Sequence, residues 1–479
     1  MAISTCAFPA QNCNARTTIS VVELPLMPTF ILKDRTYYST LLTIALPIIT
    51  QNFITSMLNV IDVGMLGQLG ETTVASVGLA NQIFFLLILM LFGTNSGVGV
   101  FTAQLWGKGD LIGIRKVLGI GLLIGLTGSF LFTILALFFP TFALSLYSED
   151  PAVIATGASY LRTVGWSYMI TAVTFAFASV LRGTGYVRIP MIVSIIALSI
   201  KTALNYGLIL GNLGMPELGA QGAAISTVIA RSIEVILMIT IVYWKRLPPA
   251  ARIAELLGFN RQFLTTVLKT SLPVLFNEML WSLGITSYNM VYGRIGTNAM
   301  AAVSIAGSIE NLAFVMFIGI SEATGIMIGN RIGAGEEHKA FGYGRQTIII
   351  GTLGAIVVGL IILLGSDYIL SFYDISEAAR QNAHNILRVM GFAMWVRVSN
   401  MIIIVGVLRA GGDTRFSLFL DAGSVWLVGV PLAVLAGLVF HQPVYIVYLL
   451  VMAEELVKYG IGMWRFLTGR WIHNLVRTV

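Results

Sequence analysis

Charged residues are scarce in this sequence. Asp, Glu, Lys and Arg make up 11% of its 479 residues, whereas soluble domains average roughly 25%. Hydrophobic residues make up 57%, there are 49 glycines, and the mean hydropathy is +0.86. A soluble protein of this size needs a charged surface that so few charges cannot supply. The composition therefore predicts an integral membrane protein surrounded by the lipid bilayer, where glycine is frequent because helices pack closely.

Residues for several other kinds of chemistry are few or missing. The two cysteines, Cys6 and Cys13, make no disulfide framework. None of the four histidines pairs with a cysteine or carboxylate at metal-ligand spacing inside an apolar run. The sequence has no phosphate-binding P-loop, so we expect no ATP hydrolysis within this chain. No nucleophile motif is evident, which leaves an intramembrane enzyme as a minor alternative. The net charge of +7 is not clustered as on a nucleic-acid-binding surface, so no nucleic acid partner is predicted.

Twelve apolar runs are long enough to cross a bilayer as helices, which need about 20 residues each. They predict an all-α fold with spans at 41–63, 77–101, 117–139, 155–180, 189–211, 220–243, 266–290, 302–328, 345–365, 384–408, 416–438 and 444–467. An even number of spans places both termini on one side of the membrane.

The arginines and lysines indicate which side that is. When cations near the ends of the runs are counted with the adjoining loop, the termini and the loops after even-numbered spans hold 21 of the 29 cations, the other loops hold four, and four lie deep within spans. By the positive-inside rule both termini are cytoplasmic. We therefore expect a multi-pass protein of the plasma membrane, the inner membrane in a bacterium.

The second half of the chain repeats the first. The stretch LPIITQNFITSMLNVIDVGMLG matches LPVLFNEMLWSLGITSYNMVYG without gaps at an offset of 226, and LRGTG matches LRAGG after one added residue. Six spans per repeat give both halves the same orientation, so the sequence predicts two parallel-related six-helix lobes with a substrate site between them. The predicted segments are a cytoplasmic N-terminal segment (1–36), the two lobes (37–243 and 266–470), a cytoplasmic linker (244–265) and a cytoplasmic tail (471–479).

Ionisable residues inside the spans are the candidate functional residues, because placing a charged side chain inside a membrane costs free energy. Glu278 lies mid-span in the seventh run beside Asn277, and the repeat places Gln51 and Asn52 at the same depth of the first run. Glu278 is interpreted as a cation-binding carboxylate that faces the central cavity. The alternative is a structural glutamate hydrogen-bonded to a neighbouring helix.

Lys201 lies halfway along the fifth run, too deep for easy snorkelling to the surface. It shares a helix face with Asn205 and needs an acidic partner on another helix. Asp62, toward the outer end of the first run, is the leading candidate and Glu234 is the fallback. Asp62 itself is either an interfacial residue or a functional one.

Other polar residues in the spans have more ordinary interpretations. Glu310 and Glu322 lie about 18 Å apart along the eighth run, and Glu310, next to Asn311, is the one expected to face the cavity. Three ion pairs are predicted to be structural, because isolated charges would be costly. These pairs are Arg397 with Asp421, Arg231 with Glu234, and Glu454 with Lys458.

Several motifs together resemble the multidrug and toxic compound extrusion (MATE) family over residues 37–470. They are DVGMLGQLGETTVASVGLA, YGRIGTNAMAAVSIAG, LRGTG, LNYGLILGNLGMPELGAQGAA and VLRAGGDTR. The resemblance implies a V-shaped pair of lobes that exports organic, often cationic, compounds by antiport with Na⁺ or H⁺. It also implies cation-coupling roles for Glu278 and Asp62, with Asn205 at the family's polar position of the fifth helix.

This chain departs from the family pattern at two places. Lys201 stands where many members have a second polar residue, and we expect its ammonium to replace the transported cation at Asp62 and silence coupling in the first lobe. Early in the tenth span, Ser399 and Asn400 stand where many members have an aspartate, a role that Glu310 or Asp421 would then take.

The sequence therefore predicts a monomeric secondary exporter of small molecules with no cofactor besides its coupling ion. Aromatic and apolar side chains that suit amphipathic cations, including Trp281, Tyr288 and Met290, are expected along the cavity with Gln51, Asn52, Asn277, Asn311 and Glu322. A flippase for lipid-linked sugars is the alternative transporter, although it would be expected to line its cavity with several cations.

Overall fold

The structure is a computed structural model that describes residues 35–373 and 375–477. The predicted N-terminal segment, with Cys6 and Cys13, falls almost entirely outside the described residues. Within them all regular structure is helical, which confirms the all-α prediction. Twelve long helical segments follow one another at the positions of the twelve predicted spans.

The first lobe contains helices 1 to 6. Helix 4 is broken, with a bend of 50° after Val164, and a short helix precedes it at Pro140–Ser145. The bounds of the six helices are Arg35–Gly67, Glu71–Lys108, Leu111–Phe138, Pro151–Val164 with Ser167–Gly183, Arg188–Leu210 and Ala220–Trp244.

The second lobe contains helices 7 to 12. Their bounds are Arg261–Ile295, Thr297–Gly333, Glu337–Leu370, Glu377–Arg409, Thr414–Val439, and Val444–Val451 with Ala453–Leu467. Helices 10 and 11 contain π-helical segments at Ile402–Arg409, Val425–Gly429 and Leu435–Val439. Such segments rotate the following side chains relative to an ideal α-helix and are frequent at functional sites.

Local sequence explains where several helices begin. The side chains of Asp110, Asp150 and Asn260 each accept a hydrogen bond from a backbone amide of the first turn, at 2.7–2.8 Å. These bonds satisfy amides that have no partner within the helix. Pro151 follows Asp150 directly, at a position where a missing N–H costs nothing.

Most of the long helices are apolar enough to cross a membrane. Among the described helices nine pass this test, or ten if the bent helix 4 is one span. Large apolar side chains such as Leu364, Phe419 and Leu427 are exposed on the outside of the bundle. That surface suits lipid, since the buried core lies inside the bundle; one core cluster joins the first half of helix 1 to the second lobe, and another joins the start of helix 7 to the first lobe. Helices 7 and 12 fall short of the test and are the ones that carry Glu278 and the Glu454–Lys458 segment.

Among the described residues, the two lobes are in tight contact at one end of the bundle. Gly107 and Gly333 lie against the backbones of helices 8 and 2, where a Cβ atom would come within about 2 Å of a carbonyl oxygen. Gly97 packs against Ser271 of helix 7 and Gly319 against Ile49 of helix 1 in the same half of the molecule. Glycines permit this close approach of helices.

The other halves of the same helices stand apart. Gly64, Gly78, Gly293 and Gly307 have no atom within 4 Å of the position that a Cβ would take. The lobes therefore form a V that is closed at the end containing Gly107 and Gly333 and open at the other.

The linker and the tail pack against the closed end. Glu255, in the short helix Ile253–Leu256, pairs with Arg115 at 2.8 Å. The tail is docked rather than free: Trp471 is fully buried against Gly411. Its neighbours bond both lobes, because the Gln104 side chain accepts from the Leu475 amide at 2.8 Å and Asn474 donates to the Ile332 carbonyl at 3.0 Å.

Candidate functional site

A polar cluster in the first lobe joins helices 1 and 5. Lys201 lies 2.7 Å from one carboxylate oxygen of Asp62, and the Asn205 amide donates to the other at 2.7 Å. The predicted pairing of Lys201 with Asp62 is confirmed. We call these three residues the N-lobe cluster. Its one acid and one cation balance, so it has no net charge.

A second chain of hydrogen bonds crosses from the first lobe to the second. Arg182, at the end of helix 4, pairs with Glu322 of helix 8 at 3.3 Å and donates to Gln51 at 3.2 Å. Gln51 in turn donates to Ser194 at 3.0 Å, and Ser194 donates to Glu234 at 2.7 Å. This arrangement ties the lobes together near the middle of helix 1.

Glu234 also binds a cation of its own helix. Arg231 lies 2.7 Å from it, as predicted for this pair. Glu234 is therefore the partner of Arg231 rather than of Lys201.

A larger polar cluster lies in the second lobe. Arg409, at the end of helix 10, binds Glu278 at 2.7 Å with one terminal nitrogen and lies 3.8 Å from Asp421 with the other. Lys458 of helix 12 lies 3.0 Å from Asp421, and Asn277 donates to Asp421 at 2.9 Å. Glu278 thus has an internal cationic partner in this conformation.

Helix 12 adds two further carboxylates around Lys458. The ammonium is 3.3 Å from Glu454 and 3.8 Å from Glu455. Tyr288 of helix 7 donates its hydroxyl to Glu454, and Asn400 of helix 10 donates to Glu455 at 2.7 Å. The Glu454–Lys458 pair predicted from their spacing is confirmed.

We call Glu278, Arg409, Asp421, Glu454, Glu455 and Lys458 the C-lobe cluster. It contains four acids and two cations, and the side chain of Lys458 is only 3% exposed. Buried carboxylates without counter-ions are strongly disfavoured, so such a cluster has a high affinity for added positive charge. This property distinguishes it from the N-lobe cluster.

Arg397 and Asp421 do not form the predicted ion pair. Arg397 binds Glu310 of helix 8 at 2.6 Å instead, and the Tyr448 hydroxyl lies 3.4 Å from the same carboxylate. Asp421 lies on the side of helix 11 that faces helices 7 and 12. The prediction was wrong because adjacency in sequence does not determine which faces of helices 10 and 11 meet.

The residues expected along the cavity fall into two groups. Trp281, Met290 and Asn311 have exposed side chains, and Gln51, Asn52, Glu310 and Glu322 are half-buried. Asn277 and Tyr288 are buried and bonded to Asp421 and Glu454. In this conformation these two side chains are buried and hydrogen-bonded to members of the C-lobe cluster.

Arg182 and Arg409 were missed as site residues, because the sequence pattern placed them in cytoplasmic loops. Helices 4 and 10 instead extend to Gly183 and Arg409, which brings both guanidinium groups between helices. One signal was available: they are equivalent arginines of the repeated LRGTG and LRAGG motifs. Glu455 was also missed, although it directly follows Glu454, which the helical spacing paired with Lys458.

A family model, MatE, matches the chain twice, at residues 47–207 and 273–435. Together the matches cover more than half of the chain, and they begin at the offset found for the repeat in the sequence.

Known proteins of similar sequence include multidrug resistance proteins. A probable multidrug resistance protein NorM from Thermotoga maritima is 23% identical over 439 residues, which cover 91% of this chain and 94% of that protein. The multidrug resistance protein PmpM from Pseudomonas aeruginosa is 25% identical over 424 residues, covering 86% of this chain and 87% of that protein.

Solved structures show the same fold. The MATE transporter VcmN of Vibrio cholerae matches with a TM-score of 0.83 at 17% identity, over 90% of this chain and 96% of that one. A MOP superfamily transporter from Pyrococcus furiosus matches with a TM-score of 0.81 at 19% identity, over 91% of this chain and 97% of that one. The pocket of the latter is described as having reverse polarity, so the fold alone does not determine what is transported.

Proposed function

The chain belongs to the MATE family of multidrug efflux transporters, and on that premise we propose that it exports small amphipathic compounds, organic cations above all, in exchange for H⁺ or Na⁺. Efflux across a membrane in which it is a multi-pass protein follows from the family. The proposal itself concerns three points: the exchange for an ion, the charge of the substrates, and the lobe in which ion and substrate are coupled.

The observation that carries this proposal is the charge balance of the C-lobe cluster. Its acids exceed its cations by two, and it contains Glu278, which lies midway along helix 7. A site with this balance attracts either a coupling ion or a cationic substrate, and competition between the two produces antiport. The N-lobe cluster contains Lys201 as a permanent cation, so we assign coupling to the second lobe.

The orientation of the molecule follows from its charges. The closed end contains the linker and the docked tail, on the side with the excess of arginine and lysine, which we assign to the cytoplasm. The V then opens outward, in the plasma membrane or the inner membrane of a bacterium, with the tail cytoplasmic. In this state an external cation reaches the cluster and an exported substrate leaves.

A lipid-linked sugar flippase is the alternative, and the ion pairs argue against it. Such a protein would need free cations to hold a pyrophosphate group. Arg182, Lys201, Arg397 and Arg409 each pair with a carboxylate instead.

Efflux from vesicles tests the proposal. Wild-type protein is reconstituted into lipid vesicles. The vesicles are loaded with a fluorescent organic cation, and an H⁺ or Na⁺ gradient is imposed across their membrane. We expect one gradient to drive efflux and Glu278→Gln to abolish it at unchanged membrane expression. Glu71→Gln, at an exposed glutamate of helix 2, is the matched control.

Normal gradient-driven efflux by Glu278→Gln would overturn the assignment of coupling to the second lobe. Translocation of a fluorescent lipid-linked pyrophosphate by the wild type, with no imposed gradient, would favour the flippase instead.

A further inference from the structure

The C-lobe cluster contains two more acids than cations, and the extra acids are on helix 12. We propose that Glu454 and Glu455 share the exchangeable proton of the antiport, and that Arg409 and Lys458 transmit the arrival of a cationic substrate at Glu278 to them. This inference rests on the proposed function and deepens it, because it names the coupling ion and its position.

The position of Lys458 favours a proton over a metal cation. Its ammonium lies among Asp421, Glu454 and Glu455, at 3.0, 3.3 and 3.8 Å. It occupies the place that Na⁺ would need in order to be coordinated by the same three carboxylates. A proton needs no coordination shell, since it binds a single carboxylate oxygen.

A buried asparagine points to the same ligand independently of the charge balance. The amide of Asn400 donates to Glu455, while its carbonyl oxygen has no hydrogen-bond partner among the described residues. Asn400 is more than nine-tenths buried, where an unpaired acceptor is unfavourable. A protonated carboxyl group facing an amide supplies the missing donor, because its O–H can bond the amide oxygen while its carbonyl accepts the N–H.

Tyr288 makes the proton on helix 12 exchangeable. Its hydroxyl donates to Glu454 when that carboxylate is ionised, and its oxygen can accept from Glu454 when that group is protonated. The contact therefore persists in both states.

The two cations of the cluster form a relay between Glu278 and helix 12. Arg409 spans Glu278 and Asp421, and Lys458 spans Asp421 and Glu454. A substrate cation that pairs with Glu278 releases Arg409 toward Asp421. Lys458 is then freed to pair more closely with the helix 12 carboxylates, which give up their proton to water. One positive charge enters the cluster and one leaves.

Neighbouring titratable groups leave this balance unchanged. Arg397 and Glu310 form a neutral pair from helices 10 and 8, with the phenols of Tyr448 and Tyr292 beside them. The excess of two acids therefore belongs to the C-lobe cluster itself.

The experiment measures the proton directly on purified full-length protein in lipid nanodiscs. Infrared difference spectra are recorded as a function of pH, and proton release is measured when tetraphenylphosphonium is added in weak buffer. We expect a protonated-carboxyl band that titrates in the wild type, and proton release on binding. Glu278→Gln should retain the band and lose the release.

The decisive variant is the double substitution E454Q/E455Q. It leaves two acids with two cations, a balanced set that should fold, as thermal unfolding can verify. We expect it to lose both the titrating band and the proton release. Asp421→Asn should keep the band and bind the probe, but with release reduced several-fold because the relay is broken.

An unchanged band in the double variant, or no titrating carboxyl band in the wild type, would refute the proton site. Release from Asp421→Asn equal to the wild type would refute the relay. Absence of probe binding by the wild type would count against the proposed substrate class, while the infrared titration still decides the proton site.

Discussion

Equivalent positions in the two lobes carry different charges. Asp62 in helix 1 corresponds by the repeat to Tyr288 in helix 7, and Lys201 in helix 5 corresponds to Val428 in helix 11. In the first lobe the carboxylate is on the first helix and binds a lysine. At the equivalent position of the second lobe, the first helix carries the phenol of Tyr288, which donates to Glu454 on the last helix. Duplication therefore conferred the same helices on both lobes but not the same electrostatics.

The larger cluster depends more strongly on its lysine. Replacing Lys458 by Met should lower the free energy of unfolding by about 3–5 kcal/mol, because it strands buried carboxylates. Lys201→Met should cost clearly less, since its side chain is 20% exposed and Asn205 still bonds Asp62. Thermal unfolding in detergent measures both, and equal losses would contradict the contrast between the lobes.

Ion dependence should change when the first lobe loses its built-in cation. Lys201→Asn leaves Asp62 with two amide neighbours and no counter-ion, so we expect the first lobe to acquire a cation requirement. Efflux assayed with and without sodium, over a range of pH, should then differ from the wild type. Wild-type behaviour would mean that Lys201 has no part in coupling.

The cross-lobe ion pair should have a smaller effect. Arg182 and Glu322 are partly exposed, so Arg182→Gln is expected to cost about 1 kcal/mol or less. Because the pair joins the lobes, that loss should appear as a larger fraction of molecules open at the Gly107 end. Spin labels on helices 2 and 8 report this fraction. Arg115→Gln, which removes a pair between helix 3 and the linker, should leave it unchanged.

The smallest expected effect concerns the docked tail and pH. Burial raises the pKa of the Asp413 carboxyl group, but the nearby His473 side chain and the hydrogen bond from Arg465 together hold that pKa below its usual range. A lowered carboxyl pKa stabilises the docked tail at any pH above the ordinary pKa of an aspartate. This stabilisation is lost as the pH falls through the lowered pKa. The protection factor of the His473 amide against hydrogen exchange should therefore be constant from neutral pH to about 4 and smaller below. Asp413→Asn should show the smaller protection factor at neutral pH, and the wild-type value in that variant would contradict this account.

The sequence was sufficient for the helices and for the N-lobe cluster. Apolar runs fix membrane helices because every backbone polar group must be paired internally. Lys201 could be matched to Asp62 because few acids in that half were available at a suitable depth.

The partners of Arg397 and Arg409 could not be read from the sequence. Pairing across helices depends on the rotation of each helix about its axis, and the π-helical segment at Ile402–Arg409 changes that rotation within helix 10. Helical periodicity of 3.6 residues therefore misplaces Arg409 at the end of that segment. Arg397 lies before the segment, and its partner Glu310 follows from the packing of helix 10 against helix 8. The repeated arginine motif showed that Arg182 and Arg409 matter, but not that one would bind across the lobes and the other within its own.

The docked tail has a consequence for how the protein is made. Residues 471–477 are synthesised after all twelve helices, yet Trp471, Asn474 and Leu475 complete the seam between helices 2, 8 and 10. All twelve helices can therefore insert into the bilayer before this part of the seam exists. A nascent chain that has produced only its twelve helices therefore lacks these contacts, and its lobes are joined by the helix–helix contacts alone.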